Sequence, residues 1–346
     1  MRMKEDYPID VVILWVDGSD EEWQKEKAHY KGESASCDSV VRFRDWDNLQ
    51  YIFRGIERFW PWVNKVFLVT NGQRPKWLNE DCERLRLVTH KEFMPAEHLP
   101  TFNSNAIELN LHRIADLSEH FILMNDDMFP IRPLPRTEFF RGGLPCDYAL
   151  MAQLYSIKSE AGFNIEVMDF CNLGLLNAHF RKRRICCWKN RKLWYGSYLG
   201  LSGILRNLSK WHQCFFTGFD NIHSVQSFLK TTFEEVWAAE PDYLWKTSGS
   251  RVRHDTNVTQ YLMRYWQLAK NEFAPNRFVN RRCFSIGDKE IDDIVDCVGN
   301  QKADIVCLND TEDAVMTDVA LLKERINGTL EHILPEKSSF EKNEEY

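Results

Sequence analysis

A short apolar run that ends in three polar residues, within residues 120–130, limits the fold of this chain more than any other feature. The apolar part is too short for an ordinary helix and a proline follows the polar part, so the segment predicts a strand buried on both faces, as in a parallel sheet. Asp126 and Asp127 then follow the carboxyl end of a strand, where open α/β sheets bind ligands. Two interpretations remain open: oxygen ligands for a hard cation that binds a diphosphate, or an ordinary turn.

Length and charge exclude several classes of protein. The 346 residues are enough for one elaborated α/β domain or two lobes, and 44% hydrophobic with 27% charged residues is typical of a soluble globular chain. A net charge of −7 gives no reason to expect nucleic-acid binding. The N-terminus lacks the apolar stretch of a signal peptide and no run is long enough to span a bilayer, so we expect neither secretion nor membrane insertion.

The ten cysteines are scattered without the spacing of a disulfide framework or a zinc site. The vicinal pair Cys186 and Cys187 has no CxxC partner. A reducing compartment is the simplest setting for such a chain, and we therefore expect a cytoplasmic protein.

Strands and helices alternate over the first 130 residues. Strands are predicted at residues 9–16, 65–70, 85–90 and 120–124, and helices from about 21, from about 48 and over 106–114, the last with Ser104 or Asn105 as its cap. This order predicts a mostly parallel, nucleotide-binding sheet. The segment contains no GxGxxG or Walker loop, which argues against a nicotinamide dehydrogenase and a P-loop enzyme.

Several polar residues of this half are candidates for ligand contacts. Asp17 and Asp20 follow the first strand, where the sugar hydroxyls or base of a nucleotide would bind, although a helix cap is the favoured interpretation for Asp20. Arg54 falls near the apolar face of its helix, so it needs an anionic partner, either a ligand phosphate or a structural carboxylate. Glu108 precedes His112 by one helical turn and can share a face with it.

The periodicity weakens beyond Pro135. Residues 181–192 form a basic run that includes a tryptophan, and a solvated face is the leading interpretation, with a dock for an anionic acceptor or an acidic membrane surface as the alternative. Helices are predicted near residues 225–229 and 258–268, and an anion site is predicted at 251–254. A second apolar strand ends in Asn-Asp at 305–310, and the charged residues 336–346 are expected to fray.

Four sequence blocks, in the right order over nearly the whole chain, give this sequence its resemblance to the Stealth family. The four together make the match specific, whereas a single block would not. Residues 9–20 resemble the first block of the family, 251–254 the core of the third, 306–310 the short fourth, and 42–45, 60–63, 67–73, 99–102 and 123–127 parts of the long second.

The resemblance implies transfer of a sugar-1-phosphate from a UDP-sugar to a glycan hydroxyl, which forms a phosphodiester and releases UMP. The family includes bacterial capsular-polysaccharide phosphotransferases and the catalytic subunit of the lysosomal-enzyme N-acetylglucosamine-1-phosphotransferase. Without large insertions between the blocks, this chain is similar to the bacterial form. An N-acetylhexosamine donor is expected, but Asp17 replaces an Asn of the eukaryotic member, which leaves the donor sugar open.

The fold implied is α/β, a Rossmann-like, glycosyltransferase-A-like sheet with a largely helical C-terminal portion that completes the active site. We predict a nucleotide-binding core over residues 1–135, an acceptor and catalytic portion packed on it over 136–334, and a disordered tail over 335–346. We also expect association with membrane-bound capsule machinery at the inner face of the membrane, without a membrane span.

Phosphoryl transfer needs charge stabilisation and a base, and the predicted site residues supply both. We predict that Asp126 and Asp127 bind Mg²⁺ or Mn²⁺ on the donor diphosphate, and that Arg54 and Arg253 neutralise the remaining phosphate charge. Further predicted contacts to the nucleotide sugar are Asp17, Gly18, Asn71 and Asp310.

The general base is predicted to be His254, because an imidazole titrates near neutral pH, with Glu108 as the second candidate. His223 also falls inside the third block, but the sequence gives it no clear role. Two other functions remain open: a metal-dependent glycosyltransferase, which would release UDP, and a non-catalytic protein that binds sugar nucleotides or polysaccharide.

Overall fold

The computed structural model describes residues 6–30, 44–155, 165–310 and 315–343. The strands are β1 (Ile9–Leu14), β2 (Val66–Thr70), β3 (Leu85–Thr89), β4 (His120–Asn125), β5 (Met128–Pro130), β6 (Phe140–Arg141), β7 (Leu144–Asp147), β8 (Gln226–Leu229), β9 (Ala274–Pro275), β10 (Arg281–Ser285) and β11 (Ile305–Asn309). The α-helices are α1 (Glu21–Tyr30), α2 (Leu49–Phe59), α3 (His90–Phe93), α4 (Ser104–Leu109), α5 (Ile165–His179), α6 (Lys182–Ile185), α7 (Arg191–Trp194), α8 (Gly200–Ser209), α9 (Lys230–Ala239), α10 (Pro241–Ser248), α11 (Tyr261–Lys270), α12 (Ile291–Gly299) and α13 (Val319–Ile333).

A five-stranded sheet in the order β3-β2-β1-β4-β8 forms the centre of the molecule. The first four of these strands are parallel, and β8 pairs antiparallel with β4. The prediction of a mostly parallel, Rossmann-like α/β sheet is confirmed. Because β1 has β2 on one side and β4 on the other, the chain reverses its winding direction at β1, and ligands of such sheets bind at this switch point.

Apolar side chains cover both faces of this sheet. In β1, Val11 and Ile13 belong to one buried cluster, whereas Val12 belongs to the cluster on the opposite face. In β4, Ile122 and Leu123 divide in the same way. Successive side chains of a strand point to opposite faces, so a strand covered on both sides needs an unbroken apolar run, as residues 11–14 of β1 and 121–124 of β4 provide.

A second, three-stranded sheet in the order β10-β11-β5 packs next to the end of β4. Only Asp126 and Asp127 separate β4 from β5, so the acidic pair lies where the chain passes from one sheet to the other. β11 runs antiparallel to β5, and the amide of Leu308 donates to the carbonyl of Asp127 at 2.8 Å. Strand β11 of the C-terminal portion therefore lies against the acidic pair, as expected if that portion completes the site.

Residues 225–229 differ from the prediction, because most of them form strand β8 rather than a helix. Ser227 and Phe228 are buried, and the strand pairs antiparallel with residues 120–123 of β4. A four-residue segment is too short for its apolar spacing to separate a helix from a strand, and the unpaired edge of β4 decides the outcome. The helix begins immediately afterwards, at Lys230.

Two helix starts follow local capping chemistry. The carboxylate of Asp20 accepts from the amides of Glu22 at 2.9 Å and Trp23 at 3.0 Å, which confirms the cap interpretation for Asp20. The side chain of Asn103 accepts from the amide of Asn105, so the cap of α4 lies just before the predicted position.

The C-terminal residues 335–343 are packed against the core rather than frayed. Phe340 is fully buried, its carbonyl accepts from the amide of Asn79 at 2.8 Å, and the amide of Lys342 donates to the carbonyl of Trp77 at 2.8 Å. The charged composition of this segment misled the prediction, because Glu341 is the buried partner of a buried arginine, Arg54. Within the described residues, no helix combines the length and the apolar character needed to cross a membrane.

Candidate active site

Polar loops follow β1 and β2 at the carboxyl edge of the central sheet, and they bind each other. The amide of Asp17 donates to Gln73 Oε1 at 2.8 Å, and Gln73 Nε2 donates to the carbonyl of Asp17 at 3.1 Å. The side chain of Asn71 accepts from the amide of Gln73 at 3.3 Å, and the carbonyl of the buried Gly18 accepts from Gln24 at 2.6 Å. Asp17, Gly18 and Asn71 thus lie together in two connected loops at the edge where they were predicted to act.

Asp127 lies at the centre of the candidate site. Its Oδ2 accepts from the thiol of Cys307 at 3.3 Å and lies 3.4 Å from Nε2 of His223. Its Oδ1 is buried and has no hydrogen-bond partner among the described residues. A buried carboxylate oxygen without a partner is costly, so this oxygen is the natural position for a bound cation or a ligand donor.

His223 reaches Asp127 because β8 lies beside β4. His223 lies three residues before the first residue of β8. The side chain of Asn221, two residues before His223, accepts from the guanidinium of Arg264 at 2.7 Å. Arg264 is buried and is itself held by the carboxylate of Asp147 at 2.9 Å. The hydrogen bond to Asp127 raises the pKa of His223, while burial acts in the opposite direction. The structure therefore assigns a position in the site to a histidine whose role the sequence left open.

Asp126 adds a second carboxylate beside Asp127. Water reaches its side chain, yet desolvation by the surrounding protein and the charge of Asp127 raise the pKa of Asp126 to about 7. The carboxylate of Asp45 contributes to the same rise. Like charges this close favour a bound cation, because a divalent ion stabilises the ionised forms of both carboxylates.

Glu108 and Arg253 lie next to this group. Glu108 is buried, its Oε2 has no hydrogen-bond partner among the described residues, and desolvation raises its pKa to about 7. The charges of Arg253 and His223 oppose that rise, so the three groups are electrostatically coupled. Arg253 Nη2 also donates to Ser104 at 2.5 Å, which joins residues 251–254 to α4, the helix that carries Glu108.

Asp310 lies at the end of β11 with partners from the start of the second block. Its Oδ2 lies 3.3 Å from Nη1 of Arg44 and accepts from the indole of Trp46 at 3.2 Å. Its Oδ1 is buried without a partner among the described residues, and burial raises its pKa. Like Asp127, it follows a buried strand and keeps one unpaired oxygen.

The structure does not bring Arg54 into this group. Its Nε and Nη2 donate to the two oxygens of Glu341 at 2.9 Å each, and its Nη1 donates to Glu331 and to the carbonyl of Leu334 at 2.8 Å each. Of the two partners left open for this arginine, the contacts favour the structural carboxylate over a ligand phosphate.

The hydrogen bonds of His254 are with nearby residues of its own loop rather than with Asp127. Its side chain is exposed, and its Nδ1 pairs with the hydroxyl of Thr256 at 3.0 Å. The histidine best placed to serve the acidic pair is therefore His223 rather than His254.

One set of side chains in the described ranges has the geometry to bind a metal ion with three ligands. Donor atoms of Asp127, His223 and Cys307 all lie within 4.8 Å of one another. Cys283 lies opposite Cys307 in the pairing of β10 with β11. Asp127 supplies the one carboxylate of this set, which does not include Asp126; a carboxylate suits Mg²⁺ or Mn²⁺, whereas the imidazole and the thiol suit softer ions.

His223 and Cys307 are the site residues that sequence reasoning missed. Two signals were present: the polar group Asp220–His223 immediately before a short apolar segment, and a cysteine two residues before the Asn-Asp pair that ends β11. Neither pattern identifies a site residue by itself, because the positions of His223 and Cys307 depend on the pairing of β8 with β4 and of β11 with β5.

Comparison with known proteins identifies the family. Residues 7–35 match Stealth protein CR1, conserved region 1, and residues 42–145 match Stealth protein CR2, conserved region 2. The chain is similar to the capsular polysaccharide phosphotransferase WcwK of Streptococcus pneumoniae and to the receptor polysaccharide phosphotransferase WefC of Streptococcus oralis, each at 36% identity over 96% of this chain and 99% of the relative. It is also 36% identical to the exopolysaccharide phosphotransferase cps2G of Lactiplantibacillus plantarum, over 97% of each chain. With two matched regions and near-complete coverage of these relatives, the chain belongs to the Stealth family.

Proposed function

We propose that this protein transfers hexose-1-phosphate, with N-acetylhexosamine-1-phosphate as the expected group, from a UDP-sugar to a glycan hydroxyl during synthesis of a capsule or other cell-surface polysaccharide. Its relatives, polysaccharide phosphotransferases from several bacteria, support the reaction class. The observation that carries the proposal is Asp127, with one unpaired buried oxygen and the other facing His223, at the ligand-binding edge of the sheet.

The proposed reaction forms one P–O bond and breaks another. The acceptor oxygen attacks the phosphorus that carries the sugar, the bond to the other phosphoryl group breaks, and UMP leaves with its phosphate. The acceptor proton goes to a protein base. A glycosyltransferase would instead attack the sugar carbon and release UDP, so the released nucleotide distinguishes the two reactions.

Asp126 and Asp127 are the proposed ligands of a Mg²⁺ or Mn²⁺ ion. When bound to the donor diphosphate, such an ion makes UMP a better leaving group. Oδ1 of Asp127 is the oxygen available for it, since Oδ2 already faces His223 and Cys307. Arg253 is the proposed partner for remaining phosphate charge, because its guanidinium is electrostatically coupled to this group of residues.

His223 is the proposed general base. Asp127 orients its ring through Nε2, which leaves Nδ1 for the acceptor hydroxyl, an arrangement that other enzymes use to activate a hydroxyl. Glu108 is the alternative base, since burial raises its pKa to about 7 and so matches it to proton transfer near neutral pH. Asp17, Gly18, Asn71 and Asp310 remain the proposed contacts to the nucleotide sugar.

Nucleotide chromatography tests this proposal. The full-length protein is incubated with a glycan acceptor and, in separate reactions, UDP-N-acetylglucosamine, UDP-glucose or UDP-galactose, each with Mg²⁺ and with EDTA. We expect UMP to accumulate with one donor and EDTA to stop it. Release of UDP would indicate a glycosyltransferase. Nucleotide binding that EDTA does not change, with no release of UMP or UDP, would indicate a binding protein.

The setting of the reaction is part of the proposal. The nine cysteines in the described part of the chain are free thiols, which supports a reducing compartment such as the cytoplasm, where UDP-sugars are available. Neither the net charge nor the candidate site suggests a nucleic-acid partner.

A further inference from the structure

Helix α8 carries an apolar strip on its solvent-facing side. Leu201, Leu205 and Leu208 follow the i, i+4, i+7 spacing of a single helix face, and they are 75%, 57% and 46% exposed. Trp211, just after the helix, is 61% exposed. We call these four residues the apolar strip.

The core contacts of α8 are on its opposite side. Gly203 and Asn207 are buried, and the Asn207 side chain is anchored by bonds to the amide of Met151 and the carbonyls of Ala149 and Trp194 at 2.6 to 2.8 Å. The outward orientation of the leucines is therefore fixed by a buried polar anchor. A surface helix normally turns its apolar face inward, so an anchored outward face indicates an interaction surface.

Cationic side chains flank the apolar strip. The ammonium of Lys182 is bound to the carbonyls of Lys210 and Gln213, which joins α6 to the segment that follows α8. Arg183 donates to the carbonyl of His212 at 2.9 Å, in the same segment. We call the exposed cations of residues 181–192 the basic run: Arg181, Arg183, Arg184, Lys189, Arg191 and Lys192.

Aromatic contacts connect the two features. Trp211 packs on Tyr195, just after α7, with ring centroids 6.2 Å apart. Trp188 is 77% exposed inside the basic run, and the guanidinium of Arg191 lies 4.6 Å from its ring centre. Tryptophan beside lysine and arginine is typical of surfaces that rest at the membrane interface, where the ring is partly buried and the cation meets lipid phosphate.

We propose that the apolar strip and the basic run form a docking surface for an anionic membrane. Leucine and tryptophan side chains would insert at the boundary of headgroups and acyl chains, and the basic run would bind acidic lipid headgroups. A soluble anionic glycan is the poorer occupant, because it would satisfy the cations but leave three leucines in water. The surface does not depend on the site around Asp127, so it is independent of the reaction proposed above.

Vesicle sedimentation tests the proposal. The full chain is mixed with phosphatidylcholine vesicles that contain or lack phosphatidylglycerol, at low and high salt. We expect binding to the acidic vesicles that weakens with salt. Leu201→Ser/Leu205→Ser/Trp211→Ser should lower this affinity at least about tenfold, since each lost side chain removes several CH₂ groups from lipid. Arg184→Gln/Lys189→Gln should weaken it about thirtyfold at low salt, at about 1 kcal/mol for each cation.

Val279→Ser/Leu321→Ser provides the matched control, since both residues are exposed, at 78% and 51%, but lie outside the apolar strip. This control should bind like the unsubstituted chain, and thermal unfolding and nucleotide release should be unchanged in all three variants. The proposal is overturned if the unsubstituted chain ignores acidic vesicles, if the control loses as much affinity as the strip variant, or if the strip variant abolishes only self-association. Binding to soluble anionic polysaccharide in preference to vesicles would also overturn it.

Discussion

The two carboxylate oxygens of Asp127 have different surroundings. Oδ2 faces the His223 imidazole and the Cys307 thiol, and Oδ1 is buried without a partner in the described part of the chain. A buried carboxylate is expensive unless both oxygens are used, so the folded protein keeps a cost that a bound cation would remove. The unpaired oxygen therefore favours a cation site over an ordinary turn as the interpretation of the acidic pair.

Glu108 makes the folding stability depend on pH. Burial raises its pKa from 4.5 to about 7, so the folded protein retains a proton that the unfolded chain releases. The neutral Glu108 side chain makes its full contribution to the free energy of unfolding below about pH 4.5. This contribution is lost as the pH rises to about 7, by about 3 kcal/mol in all.

We predict that Glu108→Gln removes this fall. At about pH 8 the variant should be more stable than the unsubstituted protein, with an upper limit of about 3 kcal/mol, and at about pH 4.5 the two should be similar. Urea denaturation across this range measures the difference. Parallel stability curves for the two proteins would show that Glu108 does not keep a raised pKa in the fold.

At the scale of elements, Arg264 of helix α11 connects the core to the loop that carries His223. Its guanidinium binds Asp147 at the end of β7 and the side chain of Asn221, two residues before His223. Arg264 and Asp147 are both buried, so loss of one partner leaves an uncompensated charge.

We predict that Arg264→Ala lowers the free energy of unfolding by about 3–5 kcal/mol. The double variant Arg264→Met/Asp147→Leu, which removes both charges, should recover most of the stability. It should still turn over more slowly than the unsubstituted protein, because the Asn221 side chain keeps its bonds to Tyr265 and Asp169 but loses its bond to Arg264, so His223 is held less firmly against Asp127. Full activity in the stable double variant would contradict this positioning role.

The strands of the central sheet could be predicted from sequence because each carries a local signal. β1, β2 and β4 each contain an unbroken apolar run, over residues 11–14, 66–69 and 121–124, which can be recognised without knowledge of the neighbouring strands. β8 could not be predicted, since four residues are too few to separate a helix from a strand. The candidate site divides in the same way: Asp126 and Asp127 follow a recognisable strand, whereas His223 reaches them only through pairing of β8 with β4.

At the scale of the whole molecule, residues 335–343 pack against helix α2. Arg54 on α2 is buried and paired with Glu341, and Phe340 beside it is fully buried. Composition predicted a frayed tail because charged residues are usually solvated, and only the tertiary fold reveals that one of them has a buried partner.

We predict that a chain ending at residue 334 is less stable than a chain ending at residue 343 by at least about 3–5 kcal/mol, because Arg54 loses its principal carboxylate. Adding Arg54→Met to the shorter chain should restore part of the loss by removing the buried cation that has lost Glu341 and keeps only the bond to Glu331 on its carboxylate side. Thermal and urea unfolding of the three proteins measure this. Equal stability of the two unsubstituted lengths would mean that residues 335–343 do not stabilise the fold.

A paired histidine comparison tests the central claim most directly, namely that Asp127 and His223 form the catalytic centre of a reaction that releases UMP. The turnover number for UMP release is measured for His223→Ala and His254→Ala, with circular dichroism as the check on folding. We expect His223→Ala to lose about 10²–10⁴-fold, the usual effect of removing a general base, and the exposed His254→Ala to stay near the unsubstituted rate. Near-normal turnover in His223→Ala, or a large loss confined to His254→Ala, would contradict the account.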